Sequence, residues 1–164
     1  MKGPVSSYLA NDHDRLDKLL TRAEKNPDHI DPIPYAEFRA GLLRHIGMEE
    51  RVLLPATARL LGVKELPIAS RLRLDHGALT ALLVPSPTRS IVATIRSILR
   101  VHNALEEQEG GAYHLCEEIA GKEGEAILEK LKAVPAVPVH SHNDKPEVLE
   151  ATKRAVSRAG YTML

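Results

Sequence analysis

The sequence predicts an all-α protein: a four-helix bundle of up-down-up-down topology, with a short C-terminal helix behind a proline-rich linker. Three observations carry that reading. Leu, Ala and Ile are abundant while aromatic residues make up 3% of the chain, a composition that favours helix over strand. Apolar residues recur every three or four positions in segment after segment, and none alternates apolar and polar residues as a half-buried strand does. Clusters of Pro, Gly, Asn and Asp fall between these segments and leave short connections, which suit helices packed side by side. A chain of 164 residues is long enough for one domain with a sizeable core and a small appendage. The expected division is a bundle over 1–133 and a tail over 134–164.

The first helix is expected over 5–25, where Leu9, His13, Leu16, Leu20 and Ala23 share a stripe. It stops before NPDHIDPIP, and Pro34 suits the first turn of the second helix. That helix carries Phe38, Leu42, Val52 and Ala56 on one face and meets Pro55, which should kink or end it before a last turn reaches Gly62. After the connector VKELP a third helix is expected over 68–84, with Leu72, His76, Leu79 and Leu83 aligned. The segment PSPT closes it and caps the fourth, which carries Ile91, Ile95, Ile98, His102 and Glu106 up to a bend at Gly110-Gly111. Helical pattern resumes over 113–120 and 123–133. The stretch AVPAVPVHSHNDKP reads as an extended linker, and 147–158 as a last helix that docks on the bundle, meets a partner or a second copy of the chain, or stays partly unfolded. No internal repeat is evident.

Composition narrows the function classes. Lys plus Arg and Asp plus Glu balance at 22 each, so no global field marks a nucleic-acid or membrane-surface protein. Neither a signal-peptide run nor a membrane span is present, and a cytoplasmic protein is expected. The lone Cys116 excludes an intramolecular disulfide framework and cannot build a thiolate site, so any metal must be held by nitrogen and oxygen.

The informative residues are histidines. His13 lies about twelve residues before the expected end of the first helix and His45 about eleven after the start of the second, so the two share a depth. His76 and His102 match more loosely. Each helix thus offers one inward histidine, and two also offer a glutamate one turn on, Glu49 and Glu106. Four imidazoles and two carboxylates suit a pair of first-row transition metals, iron first, with the carboxylates bridging. Two glutamates with an oxo or hydroxo bridge offset most of the charge of such a pair. The spacing alone is weak: with 15 Glu and 8 His, chance gives about one H-x-x-x-E. His114 and Glu118 form a third copy that is rotated away beyond the glycines and reads as surface. A single histidine in an apolar stripe is ordinarily a satisfied core residue, and a histidine-rich structural bundle is the competing reading. Four histidines, one per helix, are hard to satisfy pairwise.

The order H13…H45-x-x-x-E49…H76…H102-x-x-x-E106, with the phrases HIGMEERVLLP and HNALEEQ, resembles the hemerythrin-like, or HHE cation-binding, domains over about residues 5 to 130. The resemblance implies a non-haem di-iron centre in which His13 and His45 bind one iron, His76 and His102 the other, and Glu49 and Glu106 bridge. Two departures separate the chain from the oxygen-carrying branch. Thr80 stands where those proteins have a second histidine on the third helix, and Glu106 at i+4 replaces their aspartate at i+5, now Glu107. The His76/His102 iron then lacks a nitrogen ligand; water is the default occupant, with Tyr113, Glu109 or a substrate as alternatives.

Weaker signals complete the survey. HSHND, with His140 and His142, is a short solvated tract rather than a second metal site. Cys116 reads as a packed apolar residue. Glu50, Glu107, Asp12 and Asp75 read as carboxylates that orient ligand histidines. Tyr8 and Tyr113 serve core packing or hydrogen bonding near the site equally well. The leading expectation is a di-iron protein that binds or senses O2, NO or peroxide. The alternatives are a low-turnover oxidoreductase acting on peroxide or NO, and an iron sensor acting through a partner protein.

Overall fold

The computed structural model describes residues 3–164, and all regular structure among them is helical. Helix α1 (Pro4–Ala23) starts with Pro4 in its first turn, where the missing N–H is harmless. The Asp31 N–H bonds the Ala23 carbonyl at 2.8 Å and closes the turn to α2 (Pro32–Met48). Asp31 caps α2 by accepting from the Ile33 N–H at 3.0 Å, so helix begins at Pro32, earlier than the Pro34 start expected.

Pro55 does not end the helical run. A π-helical turn (Glu49–Leu53) carries the chain into α3 (Leu54–Leu61), with the Leu54 N–H bonded to the carbonyl of Glu49 five residues back. Pro55 has no N–H for an ordinary α bond and its ring crowds the carbonyl four residues earlier, so a locally widened turn accommodates it. Gly62, at φ +71°, ends α3 in the left-handed conformation that glycine adopts without a Cβ clash.

Helix α4 (Ala69–Leu82) and α5 (Arg89–Glu107) follow, α5 being capped by Thr88, whose hydroxyl accepts from the Ile91 N–H at 3.1 Å. After the glycine bend, α6 (Ala112–Ala120) and α7 (Gly124–Lys132) fold back over α1, and α6 also meets α3 and α5. No described helix is long and apolar enough to cross a membrane.

The tail is docked. Arg44 donates from Nε to the Val134 carbonyl at 2.9 Å, Arg39 from Nη1 to the His140 carbonyl at 2.7 Å, and the Asn143 N–H to Val84 O at 3.0 Å, which pins the proline-rich stretch to the body. Helix α8 (Pro146–Arg158) then packs on α4, burying Thr152, Ala155 and Val156. Its apolar face is therefore covered by this chain.

The core is two apolar clusters. One gathers Leu9, Met48, Leu72, Tyr113 and Leu131 among others; the second gathers Leu20, Phe38, Leu79 and Ile95. In α1, α2, α4 and α5 the histidine falls where the chain passes from one cluster to the other, so the polar residues form a layer between them.

Candidate metal centre

Helical periodicity places the six sequence-predicted residues in this layer. His13, His45, His76, His102, Glu49 and Glu106 are all buried, and both glutamates are 0% exposed. They form two groups, His13/His45/Glu49/Glu106 and Glu49/His76/His102/Glu106, in each of which the candidate ligand atoms lie within 4.8 Å of one another; each group is able to hold a metal ion. The glutamates belong to both. Glu49 turns Oε1 toward His45 Nε2 (3.1 Å) and Oε2 toward His76 Nε2 (2.9 Å). Glu106 Oε1 lies 3.4 Å from His13 Nε2 and 3.2 Å from His102 Nε2, while Oε2 is buried without a hydrogen-bond partner.

Carboxylates behind the histidines fix their rings. Asp12 holds His45 Nδ1 at 2.8 Å, Glu107 holds His13 Nδ1 at 2.9 Å, Glu50 holds His76 Nδ1 at 2.6 Å, and Asp75 holds His102 Nδ1 at 3.1 Å. With Nδ1 engaged as the N–H donor, each ring presents Nε2 to the centre, the arrangement that favours metal ligation. Asp12 and Asp75 serve the histidine of the next helix rather than the one beside them in sequence. The Nδ1 contacts are paired: Asp12 to His45 and Glu50 to His76 correspond to Asp75 to His102 and Glu107 to His13.

Electrostatics follow from burying so many charges together. Burial by itself lowers a histidine's pKa; here the Glu49 charge and the Asp12 hydrogen bond overcome it and raise His45 to about 10. Glu106 and Asp75 likewise raise His102 to about 10, Glu49 and Glu50 raise His76 to about 9, and Glu106 and Glu107 raise His13. Burial disfavours ionised Glu49, yet the His45 charge holds its carboxyl well below the usual range. Protons on imidazole neutralise the carboxylates when nothing else does.

Tyr113 comes in against His13 and His45, not on the His76/His102 side, where the sequence offered it as an alternative to water. Its hydroxyl lies 2.5 Å from Glu49 Oε1, 3.1 Å from His13 Nε2 and 3.2 Å from His45 Nε2, on the side opposite His76 and His102. Glu109 is exposed, so neither fills the position on the His76/His102 side, and Thr80 is exposed as well. Tyr113 arrives because Gly110, at φ +81°, and Gly111 turn the chain back at the end of α5. A Cβ on Gly111 would lie 2.6 Å from the Leu105 carbonyl oxygen and 2.7 Å from that of Glu106. His114 is not a bare surface residue; its Nδ1 accepts the Gly110 N–H at 2.7 Å and braces the bend. Cys116 is buried, burial pushes its thiol up, and it behaves as core.

A cavity of about 690 Å³ reaches His13, His45, Glu49 and His102 between walls that include Leu42 and Leu79. It gives a small molecule a route to the layer. No family model, curated protein or solved structure matches the chain.

Proposed function

We propose that this chain is a hemerythrin-like, HHE-type four-helix bundle that holds two irons and uses them to bind or sense O2, NO or peroxide. The observation that carries this reading is the pair of four-residue groups sharing Glu49 and Glu106, which suits two ions bridged by two carboxylates better than one ion in a six-ligand cage. The buried, unpartnered Glu106 Oε2 is an acceptor that a second ion would satisfy. Alternating helix direction is supported by the core: α1 and α4 run from the first apolar cluster to the second, whereas α2 and α5 run from the second to the first.

In this reading His13 and His45 hold one iron, His76 and His102 the other, and Glu49 and Glu106 span both. When bound, a carboxylate-bridged iron pair supplies redox equivalents and a coordination position for a small oxidant or NO. The chain's own residues do the rest. Asp12, Glu107, Glu50 and Asp75 would hold each imidazole with Nε2 free for the metal, and the two apolar clusters flank the layer on either side. The cavity that would bring a small molecule to the layer is lined by charged residues, among them Asp17, Glu24, Arg96 and Arg100, as well as by Leu42 and Leu79.

Two other uses of the same centre have support. The cavity admits peroxide as well as a diatomic gas, which suits slow peroxide or NO reduction. Iron sensing is favoured by a specific link: Arg71 pairs with Asp75 at 3.2 Å and also bonds Ala159 O and the Tyr161 hydroxyl, each at 2.9 Å, so the residue that steadies His102 is tied to the tail.

Iron content and the Mössbauer spectrum of anaerobically reconstituted, then oxidised, protein test the proposal. Two irons per chain as a magnetically coupled pair, lost in both Glu49→Ala and Glu106→Ala, are expected. No iron, or unchanged loading in both variants, would sink it. Reversible gas-dependent absorption then marks a carrier or sensor, and steady consumption of peroxide or NO marks an enzyme.

A further inference from the structure

The Tyr113 hydroxyl does more than a buried phenol needs. One O–H can donate a single hydrogen bond and the oxygen accept two. This oxygen has four close polar neighbours: Glu49 Oε1 at 2.5 Å, His13 Nε2 at 3.1 Å, His45 Nε2 at 3.2 Å and Glu106 Oε1 at 3.4 Å. Those four atoms come from the residues of one of the two metal-competent groups. Atoms that bind the same first-row ion at about 2.1 Å and at right angles to one another are about 3 Å apart. The hydroxyl stands near that separation from all four. Among the described residues, no hydroxyl makes equivalent contacts at His76 and His102.

We propose that Tyr113 is a fifth protein ligand, bound as phenolate, of the iron held by His13, His45, Glu49 and Glu106. The proposal rests on the metal reading above and deepens it. On binding, the hydroxyl proton is released to solvent together with those displaced from the imidazoles. An anionic oxygen donor stabilises the ferric over the ferrous ion, and ligand identity is a main lever on the potential of protein-bound iron. Tyr113 therefore makes the two irons unlike and draws the pair toward its oxidised state. That suits a centre that meets oxidants better than one that must return to the diferrous state to carry O2.

The test is the visible and resonance Raman spectrum of the iron-loaded, oxidised protein, read beside its iron content. The expected result is a tyrosinate-to-iron charge-transfer band with enhanced tyrosine ring modes. Both are lost in Tyr113→Phe, which keeps two irons per chain and has a more positive midpoint potential. Band and modes persist in Tyr8→Phe, Tyr35→Phe and Tyr161→Phe, so assignment by elimination stands even where Tyr113→Phe folds poorly. Two irons in the wild type without tyrosinate modes, or modes that survive Tyr113→Phe, would overturn the ligand assignment and leave the iron pair intact. An absence of bound iron would instead overturn the metal reading and this proposal with it, and the iron content distinguishes the two failures.

Discussion

At the residue scale, the same four imidazoles can carry protons or hold a metal ion, and the two states compete. His45 and His102 are raised from 6.5 to about 10 by the carboxylates they face. A raised folded-state value means that this stabilisation is complete below about 6.5 and disappears as pH rises through about 10. Glu49 is shifted the other way from 4.5, so its contribution is present above that value and is lost as pH falls through its lower folded-state value. Metal-free protein should therefore melt highest between about pH 4.5 and 6.5 and lose stability steadily toward pH 10, as thermal scans across that range would record. Iron loading should run in the opposite direction, strengthening with pH as the imidazoles give up their protons. The supporting carboxylates offer a second prediction. Asp12→Asn or Glu107→Gln should weaken metal binding about 10- to 100-fold with little change in fold, measured by competition with a chelator.

At the element scale, two irregularities place functional atoms. The π turn begins at Glu49 itself, and from it Glu49 enters the centre while Glu50 reaches the outer nitrogen of His76. The glycine bend lets the chain reverse within a few residues of Glu106 and return Tyr113 to the layer. Gly111→Ala would press a Cβ against two backbone carbonyls, which cannot swing aside as a side chain can. The expected effect is a loss of about 1–3 kcal/mol in chemical denaturation. The Tyr113 spectroscopic signature should weaken with it, whereas Thr88→Ala at the α5 cap should cost about 1 kcal/mol and leave that signature alone.

At the scale of the whole molecule, the tail completes the fold. Arg39 and Arg44 hold its proline-rich stretch, α8 covers α4, and the Leu164 N–H bonds Thr94 Oγ1 at 2.9 Å. Removing residues 146–164 should uncover the outer face of α4 and lower the melting temperature by about 10 °C, from a few kcal/mol of lost burial. It also removes the Ala159 and Tyr161 partners of Arg71, the residue that pairs with Asp75. If the tail reports on iron, the truncated chain should bind iron with an affinity at least tenfold different. An equal affinity would mark the tail as purely structural.

The sequence by itself determined the helices and the six inward residues. Both follow from local rules: a period of 3.6 residues puts His45 and Glu49, or His102 and Glu106, on one face whatever surrounds them. Tertiary structure decided what depends on how helices are rotated and set against each other. It paired Asp12 with His45 rather than His13, placed Tyr113 against His13 and His45 instead of the other two histidines, and laid α8 on α4. Contacts between helices depend on crossing geometry and on the sharp reversal at Gly110 and Gly111, and no spacing along the chain encodes them.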